Sequence, residues 1–282
     1  MAHQKKVMAV HDLSCVGKCS LTAALPILSA AGVETVPLPT AVLSTHTGGF
    51  SGYTFRDLTE DIPAITAHWK SLGLHFDVIY IGYLGSFEQL SMVSGLIDMF
   101  RTPDTLVYLD PVMADGGKLY RCFRTDFPQG MKQLCAKADV ILPNLTEAAL
   151  LLGEPYRDGP YTDKFVGETL KKLAALGPKK VILTGVWTEP GHIGSAVYDT
   201  ETDTRGFAVS ERIDGFYHGT GDVFASSFLG ALLNGIPLEQ SAQIAADFTA
   251  ESIRRTHDAG TDVRFGVNFE AGLPDYIRSL GL

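Results

Sequence analysis

The chain has 282 residues, of which 45% are hydrophobic and 20% charged, a globular composition able to build a sizeable core. Its net charge of −9, from 23 basic and 32 acidic residues, argues against a nucleic-acid or anionic-membrane partner. No apolar run is long enough for a signal peptide or a bilayer span, and Cys15, Cys19, Cys122 and Cys135 fit neither a disulfide framework nor a zinc spacing, so a reduced, cytoplasmic protein is expected.

In chain order, short β-branched runs alternate with helical stretches. The pattern predicts strands at 6–12, 35–43, 77–84, 105–110, 139–144 and 180–186. Between and after them it predicts helices near 18–31, 60–73, 86–100, 126–137, 145–152 and 162–176. Two more strands, 192–199 and 206–213, are separated by a short turn and read as a hairpin. Long helices at 220–234 and 238–256 follow, divided by "NGIPLEQ" with its Gly-x-Pro stop and restart. Several strands are apolar on both faces, as expected when helices cover both sides of a parallel sheet.

The fold class is therefore α/β: a single doubly wound, mostly parallel sheet with helices on both faces and an antiparallel edge hairpin, in one domain over 1–282. Ligands of open α/β sheets gather beyond the carboxyl ends of the strands. Polar residues stand at those ends: Asp12, Tyr83, Asp110, Asn144 and Thr184.

Four segments bear on chemistry. "VGKCSLT" (16–22) looks like part of a Walker phosphate loop, but Asp12 replaces its first glycine and Cys19 its metal-binding hydroxyl. Gly17 and Lys18 are instead expected to open the first helix, near a substrate bound at Asp12. "LDPVMADGGKLY" (109–120) carries Asp110 and Asp115, suited to Mg²⁺ or a monovalent cation beside a triphosphate, although Asp-Gly-Gly is also a good turn. "LPNLTEAALLL" (142–152) spaces Asn144 and Glu147 as a capping box, or as a phosphate contact with a carboxylate holding metal-bound water.

In "YHGTGDVFASSFL" (217–229), Gly219, Thr220 and Gly221 free several N–H groups to point one way at a helix start, which suits phosphate oxygens. Asp222 in the first turn either compensates the helix dipole, worth ~0.3–1 kcal/mol, or acts on a substrate. No G-x-G-x-x-G follows the first strand, which argues against a nicotinamide dehydrogenase.

"GYLGS" (82–86), "DPVM" (110–113), "PN-x-x-E" (143–147), "LTG" (183–185) and "GTGD" (219–222) occur in the order and spacing of the ribokinase-like superfamily. Over roughly residues 6 to 270 the chain most resembles the pyridoxal/pyridoxamine kinase family, with "GYLGS" and "STHTGG" (44–49) carrying the narrower likeness. The resemblance implies ATP-dependent phosphorylation of the 5′-hydroxymethyl group of pyridoxal, pyridoxamine or pyridoxine.

It makes Asp222 the catalytic base and the N–H groups of Gly219, Thr220 and Gly221 an anion hole. The helix N-terminus leads us to expect a depressed pKa for that base. The resemblance sets Asp110, Asn144, Glu147 and Thr184 beside ATP, and Mg²⁺ near Asp110, Asp115 and Glu147. A potassium ion is implied near Asp110 and Thr184. Asp12, His46, Thr47 and Tyr83 are implied to contact the vitamer, and a homodimer is implied. Two other readings stand beside this one. A hydroxymethylpyrimidine kinase of the thiamine pathway shares the fold and chemistry. A vitamer-binding protein without catalysis is disfavoured, because Asp222 and both glycines are present.

Overall fold

The computed structural model describes residues 3–282. Its first half runs β1 (Lys6–Val16), α1 (Leu21–Ala30), β2 (Glu34–Thr45), β3 (Phe55–Asp57), α2 (Ile62–Ser71), β4 (Val78–Ile81), α3 (Phe87–Phe100) and β5 (Leu106–Leu109). A small hairpin, β6 (Ala114–Asp115) and β7 (Lys118–Leu119), leads to α4 (Phe127–Cys135), β8 (Val140–Ile141), α5 (Leu145–Leu152) and α6 (Asp163–Ala174). The chain ends with β9 (Lys180–Val186), β10 (His192–Asp199), β11 (Thr204–Glu211), α7 (Thr220–Leu233), α8 (Leu238–Asp258) and α9 (Leu273–Ser279).

Nine strands form one sheet in the order β11-β10-β9-β8-β5-β4-β1-β2-β3. The strands from β9 to β2 run parallel, while the β10–β11 hairpin is antiparallel at one edge and β3 at the other. Alternate residues of each strand enter two separate cores, as the two-residue period of a strand requires. Met8, Ile79, Val107 and Val181 pack beneath α2 to α6, whereas Val7, Tyr80, Tyr108 and Ile182 pack beneath α1 and α7 to α9. Each fully buried aliphatic side chain of this kind stabilises the fold by about 1.5–3 kcal/mol.

β1 lies between β2 and β4, so the chain's crossovers change direction there and open a crevice above the strand ends. The predicted strands at 77–84, 105–110 and 139–144 are shortened to their buried cores, because Tyr83, Asp110 and Asn144 belong to loops leaving that edge. β1 and β2 are longer than predicted, since they continue to pair as far as Val16 and Thr45. Their register shifts between His11 and Leu13, so Asp12 sits in an irregularity of the kind that re-aims a side chain. The first helix begins at Leu21 rather than 18, because Ser20 has φ 51° and ψ −127°. The strand β3, the β6–β7 hairpin and α9 carried no clear periodic signal in the sequence.

Candidate active site

The site is assembled from the loops at the carboxyl ends of β1, β4, β5 and β8 and from the start of α7. Asp12 is buried, and both its oxygens accept hydroxyl hydrogen bonds, Oδ2 from Ser14 at 2.9 Å and Oδ1 from Ser20 at 2.6 Å. Ser14 shares the face of Asp12 through the period of two.

Gly219 caps α7 at φ 75°, a left-handed conformation that favours glycine. A Cβ there would meet the Lys18 carbonyl oxygen, which forbids any other residue. By contrast, a Cβ on Gly221 would meet nothing within 4 Å and would project into open space. The first N–H groups of α7 thus stand beside open space at Gly221, which fits an anion.

Asp222 follows in the first turn of α7. Burial pushes its carboxyl up to about 7; the Ser20 backbone N–H opposes the shift and the negative charge of Asp12 adds to it. This overturns the depressed pKa expected from the helix end alone. The residue stays half-exposed towards the cleft, but the surrounding protein removes most of the water that would solvate its charge. Burial likewise raises Asp110 well above the ordinary carboxylate range, and the charges of Glu147 and Asp222 raise it further.

Asn144 forms a complete capping box on α5. Its Oδ1 accepts from the N–H groups of Thr146 and Glu147 at 2.8 and 2.9 Å, and Glu147 Oε2 accepts from the Asn144 N–H at 2.9 Å. Asn144 Nδ2 donates to the Ala114 carbonyl at 2.8 Å, so one amide N–H is left for a ligand. Glu147 Oε1 accepts from the Met113 N–H at 3.0 Å. Burial pushes its carboxyl up to about 8 despite these backbone donors. With Oε1 holding the 110–115 loop and Oε2 the start of α5, both Glu147 oxygens are already engaged by backbone N–H groups.

Asp115 is exposed and accepts from the Gly116 N–H at 2.7 Å in a tight turn. Among the described residues no three His, Cys, Asp or Glu side chains are grouped to hold a metal ion, so the expected set of Asp110, Asp115 and Glu147 is not a closed cage. Magnesium beside a triphosphate keeps waters and phosphate oxygens as ligands and needs no such cage. The charges bearing on Asp110 are themselves acidic, which suits a cation there. Thr184 stands opposite Asn144 in a single parallel bridge, its N–H donating to the Pro143 carbonyl at 3.0 Å.

Of the residues expected to contact a ring, His46 is buried with both nitrogens engaged. Nε2 donates to the Arg264 carbonyl at 2.6 Å and Nδ1 accepts from the Gly48 N–H at 3.1 Å, a pairing that assigns the neutral tautomer. The ring therefore holds the 46–49 loop against the 262–266 segment and offers a ligand its edge or face. Thr47 is exposed on that loop. Tyr83 is half-buried, its Oη 3.6 Å from Cys122 Sγ and its ring 5.7 Å from that of Phe123. Burial first, then Cys122 and the charge of Asp12, hold the phenol above its ordinary pKa.

Sequence reasoning missed Ser14, Ser20, Cys19 and His218. Cys19 is kept protonated by burial and by the charges of Asp222 and Asp12. His218 lies 5.0 Å from His46, ring to ring, and is made less basic by burial and by that neighbour. Only Ser14 left a signal, two residues after Asp12 on the same strand. Lys18, expected near the substrate, turns away to Glu270 and Asn268 at 2.8 and 3.1 Å.

The glycine-bounded start of α7, the half-exposed Asp222 in its first turn and the buried Asp12 on β1, set on this sheet, are those of a phosphotransferase of ribokinase-like fold acting on an alcohol. The family model for phosphomethylpyrimidine kinase matches residues 19–266, and the chain belongs to that family. A Bacteroides thetaiotaomicron structure, provisionally named a phosphomethylpyrimidine kinase and crystallised with pyridoxal, is 41% identical, with a TM-score of 0.91 over 99% of this chain and 96% of that one. Pyridoxal kinase from Lactobacillus plantarum is 35% identical, with a TM-score of 0.89 and 98% of each chain covered. Pyridoxal kinase from Dictyostelium discoideum is 24% identical over 91% of this chain and 88% of its own.

Proposed function

We propose that the protein transfers the γ-phosphoryl group of ATP to the 5′-hydroxymethyl group of pyridoxal, pyridoxamine or pyridoxine. The observation that carries this reading is Asp222 in the first turn of α7, beside open backbone N–H groups and tied through Ser20 to Asp12. Relatives named pyridoxal kinase and a relative crystallised with pyridoxal favour a vitamer over a thiamine-pathway pyrimidine, despite the name of the family model.

Asp222 accepts the hydroxymethyl proton as the alcohol oxygen bonds to the γ-phosphorus, and the bond from that phosphorus to the bridging oxygen of ADP breaks. The N–H groups of Gly219, Thr220 and Gly221 stabilise the charge on the transferring group and on ADP. Asp12 orients the ring through its nitrogen or phenolic oxygen, with Tyr83 beside it and His46 and Thr47 closing that side. Asn144 and Thr184 line the phosphate path.

Mg²⁺, held by Asp110 and Asp115 and through water by Glu147, would neutralise phosphate charge. A potassium ion near Asp110 and Thr184 belongs to the same proposal, as do a homodimer, a cytoplasmic setting and one domain over 1–282, residues 1 and 2 of which lie outside the described residues. Among the described residues no helix is long and apolar enough to cross a membrane.

The test is an acceptor panel with Mg-ATP, with and without potassium. It holds the three vitamers, hydroxymethylpyrimidine and sugar alcohols. Phosphorylation of a vitamer at its 5′-hydroxymethyl is expected; turnover of the pyrimidine alone would reject the vitamer assignment.

A further inference from the structure

Ser20 precedes α1 in a backbone conformation, φ 51° and ψ −127°, that residues with a Cβ rarely adopt. Glycine would take the same backbone without steric cost. Ordinary helix capping does not account for the serine, because its side chain makes no cap hydrogen bond to α1. Its carbonyl alone begins the helix, accepting from the N–H groups of Ala23 and Ala24 at 3.1 and 2.9 Å. The hydroxyl is directed elsewhere, donating at 2.6 Å to Asp12 Oδ1. The backbone N–H of the same residue faces the Asp222 carboxylate and favours its charge. One buried residue therefore hydrogen-bonds Asp12, while the Lys18 carbonyl and Cys19 just before it pack against Gly219 at the start of the helix that carries Asp222.

We propose that Ser20 is a positioning residue that fixes the ring-facing carboxylate Asp12 and the hydroxymethyl-facing carboxylate Asp222 at one separation. This rests on the roles given to those two groups above. Like charges repel, so two unpinned carboxylates would settle further apart. A bound acceptor must reach both at once, with its ring polar group at Asp12 and its hydroxymethyl at Asp222. The strained backbone is what lets one residue point its N–H at α7 and its hydroxyl at β1. The link acts through geometry, and misplacing a reacting group by about 1 Å can cost about 10²-fold in rate.

The experiment compares Ser20→Gly and Ser20→Ala with wild type, using the acceptor that wild type phosphorylates and measuring Tm, kcat and both KM values. Ser20→Gly is expected to keep or raise Tm while lowering kcat/KM for the acceptor about tenfold or more, with the ATP KM within about twofold. Ser20→Ala should lose the same activity without the gain in Tm. Either change combined with Asp12→Asn should cost little beyond Asp12→Asn alone, because the hydroxyl then has no carboxylate to hold.

Wild-type kcat/KM in the glycine variant would overturn the proposal. So would fully additive losses with Asp12→Asn, or activity falling only in step with Tm. A wild type active solely on hydroxymethylpyrimidine would reject the vitamer reading, and the Ser20 comparison would then be read on that acceptor.

Discussion

At Asp222 two effects compete, and burial wins. A helix N-terminus and the Ser20 N–H favour the carboxylate, yet desolvation and the charge of Asp12 carry its pKa up to about 7. The motif "GTGD" made the residue visible in the sequence, but desolvation depends on what the fold packs around it. The sign for activity follows directly. A base must be ionised, so acceptor kcat/KM should fall about tenfold per pH unit below an inflection near 7 and level off above it. The titratable groups facing Asp222 are Asp12, Asp110, Cys19, Tyr80 and Tyr120. Of these, Asp12 raises the Asp222 pKa, so Asp12→Asn should move the inflection to lower pH in whatever activity remains. A wild-type profile flat down to pH 5 would contradict this environment for Asp222.

At the scale of an element, the start of α7 separates structural from chemical glycine. Gly219 has φ 75° and no room for a Cβ against the Lys18 carbonyl, whereas Gly221 has open space. Gly219→Ala should therefore lower Tm and activity together, at a cost of about 1–3 kcal/mol of strain or more. Gly221→Ala should leave Tm nearly unchanged and lower kcat about 10²-fold, because its methyl group would enter the proposed anion cradle. Thermal melts beside steady-state rates check both, and a fully active Gly221→Ala would show that no anion sits there. α5 teaches a different lesson. Its capping box was legible from the three-residue spacing of Asn144 and Glu147, and the structure contains it. The sequence did not reveal that Glu147 also binds the Met113 N–H and so ties the 110–115 loop to that helix.

Over the whole molecule, the parallel core was legible because its strands are apolar on both faces and its helices are amphipathic or capped. The β10–β11 edge hairpin was legible from its short turn. What escaped were the elements defined by pairing rather than pattern. β3 is a three-residue exposed strand, and β6–β7 has two residues on each side. Ser20 escaped for a related reason, since a strained φ leaves no mark in composition. Of the polar residues expected at strand ends, Asp110 and Asn144 stand just past β5 and β8, whereas Asp12 and Thr184 lie within β1 and β9, which continue to Val16 and Val186.

The central claim is that Asp222 removes the acceptor proton during transfer from ATP. Its most direct test is Asp222→Asn, which keeps the shape of the side chain and removes the base. Phosphoryl transfer to pyridoxal from Mg-ATP should fall by about 10²–10⁴-fold, with nucleotide binding within about threefold of wild type. Turnover close to wild type in that variant would contradict the claim and return Asp222 to the role of a helix-end charge.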